Sequence, residues 1–230
     1  MPNQPLSTIG LVMPGDFAVV PYEAIHSRVV AKKEAYRHSW AQYASAWNAL
    51  PYRFLSCATH DREFTQSIKR AGSSPPQPER YIQERALFSF FVTGLAAIES
   101  LCHGLFAIGS MLDAQNFSIT TPQDMRLITP RKTARQFAAA FPKEHIAAAL
   151  QQMRNAQDFR DWKEIRNILA HRSAPGRLFH EGGPHHGETL WVKGIQIDEN
   201  TMASRRQWLA KTVRTLLIAA DVFTIRQLSS

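Results

Sequence analysis

The stretch from Glu79 to Leu112 constrains this chain most, because a helix built from it is apolar on nearly every side. Phe88, Phe90, Phe91, Leu95, Ile98, Leu101, Leu105, Phe106 and Ile108 leave little of its circumference suited to water. Such a helix belongs at the centre of a bundle, with other helices packed around it. Ser89, Thr93, Ala97, Ser100 and Gly104 form a stripe of small residues along it. That stripe lets a neighbouring helix approach closely, in the same chain or in a second copy. Ala86 to Met111 is long enough to span a bilayer. Glu99 and His103 lie within it, however, and an isolated charge at mid-membrane is costly. The expectation is a buried helix and no membrane contact.

Around this centre the sequence reads as further helices. Residues 1–20, broken by three prolines, are expected to form an irregular N-terminal arm, and 21–230 a single helical-bundle domain. From Tyr22 to about Ala49, Ile25, Val29, Val30, Tyr36, Trp40, Tyr43 and Trp47 recur near a 3.6-residue period. Pro51 is expected to interrupt that helix, with a second, shorter one over Tyr52–Ala71. The segment 72–78, GSSPPQP, is a clear break. Residues 113–128 read as loop. Thr129 caps a helix that starts at Pro130, and Phe141–Pro142 restarts one through Met153. Asp158 caps the next helix, with Asp161 three residues on as in a capping box. That helix buries Phe159, Trp162, Ile165 and Leu169 and stops near His171. Residues 173–188 read as loop, and Thr189–Ile197 alternates like a short strand pair or extended segment. Asn200 or Thr201 caps a last helix, running to about Gln227. The predicted class is all-α: an up-and-down bundle with a short extended or hairpin segment before the last helix.

Composition narrows the function classes. The formal net charge is +8, from 27 Lys and Arg against 19 Asp and Glu. A positive field draws phosphates, so RNA or a nucleotide is a natural partner, although a basic surface also simply aids solubility. Cys57 and Cys102 cannot make a disulfide framework, and nothing resembles a signal peptide, so reduced thiols in the cytoplasm are expected. There is no Gly-rich phosphate loop and no Gly-x-Ser-x-Gly elbow. His180, Glu181, His185 and His186 cluster in a way that can bind Zn or Ni. Lacking nearby cysteines and helical spacing, they read as a solvated loop, and no metal is assigned. Arg205, Arg206, Lys211 and Arg214 make the last helix basic at its start, which suits an RNA backbone or merely a solvated face.

The segment that best carries chemistry is Arg166-Asn167-Ile-Leu-Ala-His171-Arg172, with Arg177 shortly after. A His moves protons near neutral pH, and a fixed guanidinium stabilises charge growing on phosphoryl oxygens. Residues five apart on an ideal helix diverge by about 140°. Arg166 and His171 therefore converge only if the last turn loosens, which the Ser173–Gly176 segment encourages. Asn167 and His171, four apart, share a face. Arg172 and Arg177 are candidates for binding flanking phosphates. A structural alternative has Arg166 paired with a buried carboxylate and His171 capping the helix C-terminus. Glu99, an acid in an apolar helix, needs a partner. His103 lies one turn from it, and Arg166 could reach it, either as part of a site or as a structural ion pair.

This segment resembles the Arg-x4-6-His motif of the HEPN superfamily in its form Arg-Asn-x-x-x-His. The sequence-specific likeness covers residues 166–171 alone; Arg53 and His60, with six residues between, match the bare spacing too. The resemblance implies a helical bundle, a homodimer that brings two motif copies into one cleft, and a metal-independent endoribonuclease needing no cofactor. Arg166, His171 and Asn167 would be its catalytic residues, supported by Glu99 and His103, and an antitoxin protein would be a candidate partner. It equally allows a non-catalytic module that dimerises or binds a nucleotide or protein. A helical interaction protein outside the family stays open as well.

Overall fold

The computed structural model describes residues 2–171, 174–182 and 187–228. Among these the chain forms eight helices and five short strands, so its class is all-α, with the strands confined to two small sheets. Where one domain is expected, contacts group the chain into two compact units. Unit 1 is Met1–Arg53, Ala96–Ala156 and Ala210–Ser230, and unit 2 is Phe54–Leu95 and Gln157–Leu209. The helices α2 (Arg37–Ala71), α3 (Gln77–Leu112) and α8 (Glu199–Leu228) each supply residues to both.

In unit 1 the first residues are a hairpin rather than an irregular arm. Strands β1 (Gln4–Leu6) and β2 (Leu11–Met13) pair antiparallel, Gln4 opposite Met13 and Leu6 opposite Leu11. Gly10, at φ +68°, takes the left-handed conformation that the turn requires, and its amide donates to the Leu6 carbonyl. Leu6, Met13 and Phe17 are buried, which ties this segment to the core. Helix α1 (Val19–Ala31) buries Val19, Tyr22, Ile25 and Val29, a single face at helical spacing.

Pro51 does not break α2, and the reason lies outside the helix. Proline has no N–H, so the carbonyl four residues back, that of Trp47, loses its helical donor. The Tyr22 hydroxyl donates to that carbonyl instead, at 3.0 Å and fully buried. Tyr22 stacks on the Trp47 ring, centroids 5.1 Å apart, and Tyr43 stacks on it at 5.3 Å. The indole also fills the space that Gly104 of α3 leaves open, where a Cβ would lie 2.9 Å from the ring. The small-residue stripe thus receives a side chain of the same chain.

The remainder of unit 1 is set by its caps. Thr121 and Asp124 form a reciprocal capping box for the short α4 (Pro122–Arg126), inside the segment expected to be loop. The Thr129 hydroxyl accepts from the Lys132 amide and Pro130 opens α5 (Pro130–Ala140), as the sequence predicts. Helix α6 (His145–Asn155) starts slightly later than expected. Phe106, Phe117, Phe137, Phe141 and Phe223 form one contiguous aromatic cluster.

In unit 2 the break after α2 is made by Gly72, at φ +68°, whose carbonyl accepts from the Gln83 side chain at 2.9 Å. Helix α7 (Gln157–His171) lies on α3 through Trp162. That indole packs against Phe90 and Phe91, and its Nε1 donates to the Phe91 carbonyl at 2.9 Å. Gly94 admits it, since any Cβ there would overlap the ring. The expected hairpin forms as β4 (Gly187–Val192) and β5 (Ile195–Ile197). Strand β3 (Gly176–His180), in a segment expected to be loop, completes a three-stranded antiparallel sheet in the order β3-β4-β5. Asp198, rather than Asn200 or Thr201, caps α8 by accepting from the Thr201 amide at 2.7 Å. Each unit holds one cysteine, Cys102 in unit 1 and Cys57 in unit 2, both fully buried and neither in a disulfide. Burial pushes the Cys102 thiol well up, and the nearby Glu99 charge adds to this. Helix α3 is long and apolar enough to cross a membrane, and 72% of its most apolar window is buried within the protein.

Tyr22→Phe strands the Trp47 carbonyl and is expected to destabilise the chain by about 1–3 kcal/mol. In a Pro51→Ala background the restored amide can serve that carbonyl, so the same substitution should cost at least about 1 kcal/mol less. Urea unfolding of the four proteins measures this; equal costs in both backgrounds would show that the hydroxyl does not replace the missing amide.

Candidate functional site

Helix α7 sets the geometry of the Arg-Asn-x-x-x-His segment. Phe159, Trp162 and Ile165 are its buried stripe, and Leu169 is half-buried rather than fully so. The helix begins at Gln157, one residue before the expected cap, with the Gln157 side-chain Nε2 donating to the Asp161 carboxylate at 2.6 Å. Arg166 and Asn167 are half-buried on its flank, and His171 is its last residue and exposed. The loosening expected to bring Arg166 toward His171 does not occur before His171, because α7 stays helical through it. Helical geometry therefore holds the two about 140° apart around the axis, while Asn167 and His171 stay on one face a turn apart. Arg172 lies outside the described residues.

Two further expectations, both about phosphate-binding cations, are corrected beyond the end of α7. Arg177, on β3, is not available to RNA. Its side chain is only 9% exposed, pairs with Glu84 at 2.6 Å and Glu188 at 3.5 Å, and donates to the Ser73 carbonyl at 3.1 Å. Arg80 reaches the same Glu188 carboxylate at 2.5 Å. The arginine joins the sheet to the start of α3 and the turn before it. Nor does the start of α8 present its arginines to solvent. Arg205 and Arg206 are both buried, and the Arg206 guanidinium sits over the Phe54 ring, 4.3 Å from its centroid. Burial lowers the affinity of Arg205 for its proton, against the opposing pull of Asp161 and Asp158.

Sequence reasoning missed a recess of about 270 Å³ beside the end of α7, lined by Ile168, Pro175, Trp191 and Lys193. Trp191 and Lys193 come from the β4–β5 hairpin, which only the fold brings to α7. Lys193 takes a left-handed backbone, φ +50°, and its ammonium pairs with Glu164 of α7.

Glu99 and His103 belong to unit 1, whereas Arg166, Asn167 and His171 belong to unit 2. Glu99 is exposed, not the buried acid that the apolar sequence around it suggests. It lines an open pocket together with Ser100 and His103. His103 is half-buried, its Nε2 3.2 Å from the Gln42 side-chain oxygen Oε1, and burial, then the neighbouring Arg53, disfavour its protonation. The competing motif match divides likewise: Arg53 is in unit 1, while His60 is in unit 2 with its Nδ1 3.2 Å from Glu63. Of the histidine-rich segment, His185 and His186 lie outside the described residues, and among the described residues no three His, Cys, Asp or Glu side chains gather as a metal site. Compared with protein-family models, curated proteins and solved structures, the chain matches none.

Arg177→Ala leaves Glu84 and Glu188 without their shared cation and is expected to cost about 2 kcal/mol of stability. In filter-binding assays the folded variant should hold RNA as the parent does; a selective loss of RNA affinity without a drop in melting temperature would reverse the assignment of this residue.

Proposed function

We propose that the chain is a metal-independent endoribonuclease of the HEPN type, acting on RNA phosphodiesters at the exposed end of α7. One juxtaposition supports this: an open imidazole, His171, ends a helix with Asn167 one turn behind it on the same face, in a chain of net charge +8. His171 takes the proton of a ribose 2′-hydroxyl, whose oxygen attacks the adjacent phosphorus. The 5′-oxygen leaves and is protonated, giving a 2′,3′-cyclic phosphate and a 5′-hydroxyl. Arg166 stabilises the charge on the phosphoryl oxygens and Asn167 orients the imidazole. The recess lined by Ile168, Trp191 and Lys193 offers a flanking base an aromatic and apolar wall.

The angle of about 140° between Arg166 and His171 makes the composition of this site specific. The guanidinium that meets His171 comes from a second copy, in the homodimer that the family resemblance implies. The same angle favours a second reading, a non-catalytic HEPN-like module that binds RNA, a nucleotide or a protein partner such as an antitoxin without cutting.

Incubation with RNA in EDTA is expected to yield 2′,3′-cyclic-phosphate ends. Arg166→Ala and His171→Ala should each slow cleavage by about a hundredfold or more. Mixing the two inactive variants should restore part of the activity, because a mixed dimer keeps one complete Arg166–His171 pair. Cleavage that persists in His171→Ala sinks the proposal, and a parent that binds RNA without cutting it establishes the second reading.

A further inference from the structure

We propose that unit 1 carries a second, separate binding site, for a small phosphorylated polyol of sugar-phosphate size, in the open pocket formed by α2, α3 and the start of α5. The pocket encloses about 440 Å³, a volume in the range of small-molecule sites. It owes nothing to α7, so it stands whether or not the chain cuts RNA.

The phosphate is argued from the cations and their supports. Arg53 enters from α2 and Arg126 from the last turn of α4. Arg53 is held before any ligand arrives, because its guanidinium donates to the Ala96 carbonyl at 3.2 Å and to the Ser100 hydroxyl. Arg126 is exposed and, among the described residues, pairs with no carboxylate. The N-terminus of the 11-residue α5 opens at the same pocket through Thr129 and Pro130, adding its partial positive charge. Two guanidiniums and a helix N-terminus, from three different elements, suit an anion with several oxygens spread in space.

The polyol is argued from the walls. The lining residues include no Phe, Tyr or Trp, and their one aromatic ring, the half-buried His103 imidazole, is engaged by the Gln42 side chain, so the walls offer a nucleobase little to stack on. Gln42, Ser45, Ser100 and the Glu99 carboxylate instead supply donors and acceptors that match hydroxyl groups. Ala46 and Ala49 keep that wall low enough for a carbon skeleton to lie against α2.

Calorimetric titration of the full chain with D-ribose 5-phosphate is the test. Binding is expected, with D-ribose and inorganic phosphate each weaker by about tenfold or more and AMP no tighter than ribose 5-phosphate. Arg126→Ala, with a circular-dichroism spectrum and melting temperature like the parent's, should weaken binding by about tenfold or more, Arg126→Lys should recover part of it, and His171→Ala should leave it unchanged. The proposal is overturned if millimolar ribose 5-phosphate gives no heat, if inorganic phosphate binds as well, if AMP binds tighter, or if Arg126→Ala binds like the parent.

Discussion

A hydroxyl on one helix stands in for an amide that another helix lacks, and much of unit 1 depends on that exchange. Without a donor for the Trp47 carbonyl, α2 would end or bend at Pro51, because a buried carbonyl with no partner is costly. With the Tyr22 hydroxyl on it, the helix runs on through Arg53, the residue whose guanidinium anchors one wall of the unit 1 pocket. The contact also explains why α1 has a tyrosine at a fully buried position where phenylalanine would otherwise pack as well. Burial and the nearby Glu23 charge push its phenol well up, so it stays a donor throughout the physiological range.

Helix α3 is organised by two indole rings received in the same manner. Trp47 rests where Gly104 has no side chain, and Trp162 rests where Gly94 has none. In each unit the ring fixes one neighbouring helix at short range: the first half of α2 in unit 1, and α7 in unit 2. Trp162 therefore positions the helix that ends at His171, from about two and a half turns away, through its ring contacts and its bond to the Phe91 carbonyl.

Much of this was legible in the sequence where the controlling interaction is local. Periodicity and the prolines located α3, Thr129 with Pro130 marked the start of α5, and the alternation of 189–197 marked the β4–β5 hairpin. Features decided by distant partners were not. Pro51 looks like a break because its compensating donor is 29 residues earlier in the chain. Strand β3 has an irregular inside–outside pattern and acquires its conformation from β4. The two units divide within long helices, where composition does not change. At the candidate site, helical spacing placed Asn167 and His171 on one face, but it could not reveal that Arg177 is taken by Glu84 and Glu188, or that Arg206 lies on Phe54. Glu99 looked buried because its neighbours in sequence are apolar, whereas its side of the helix meets an open pocket.

The two buried thiols have a use that their inertness makes available. Each compact unit contains one of them, and neither touches solvent in the folded state. A thiol reagent must wait for the protein to open before it can react. Because Cys57 and Cys102 fall in different peptides, mass spectrometry of the modified chain can time the opening of the two units independently, with no engineered label.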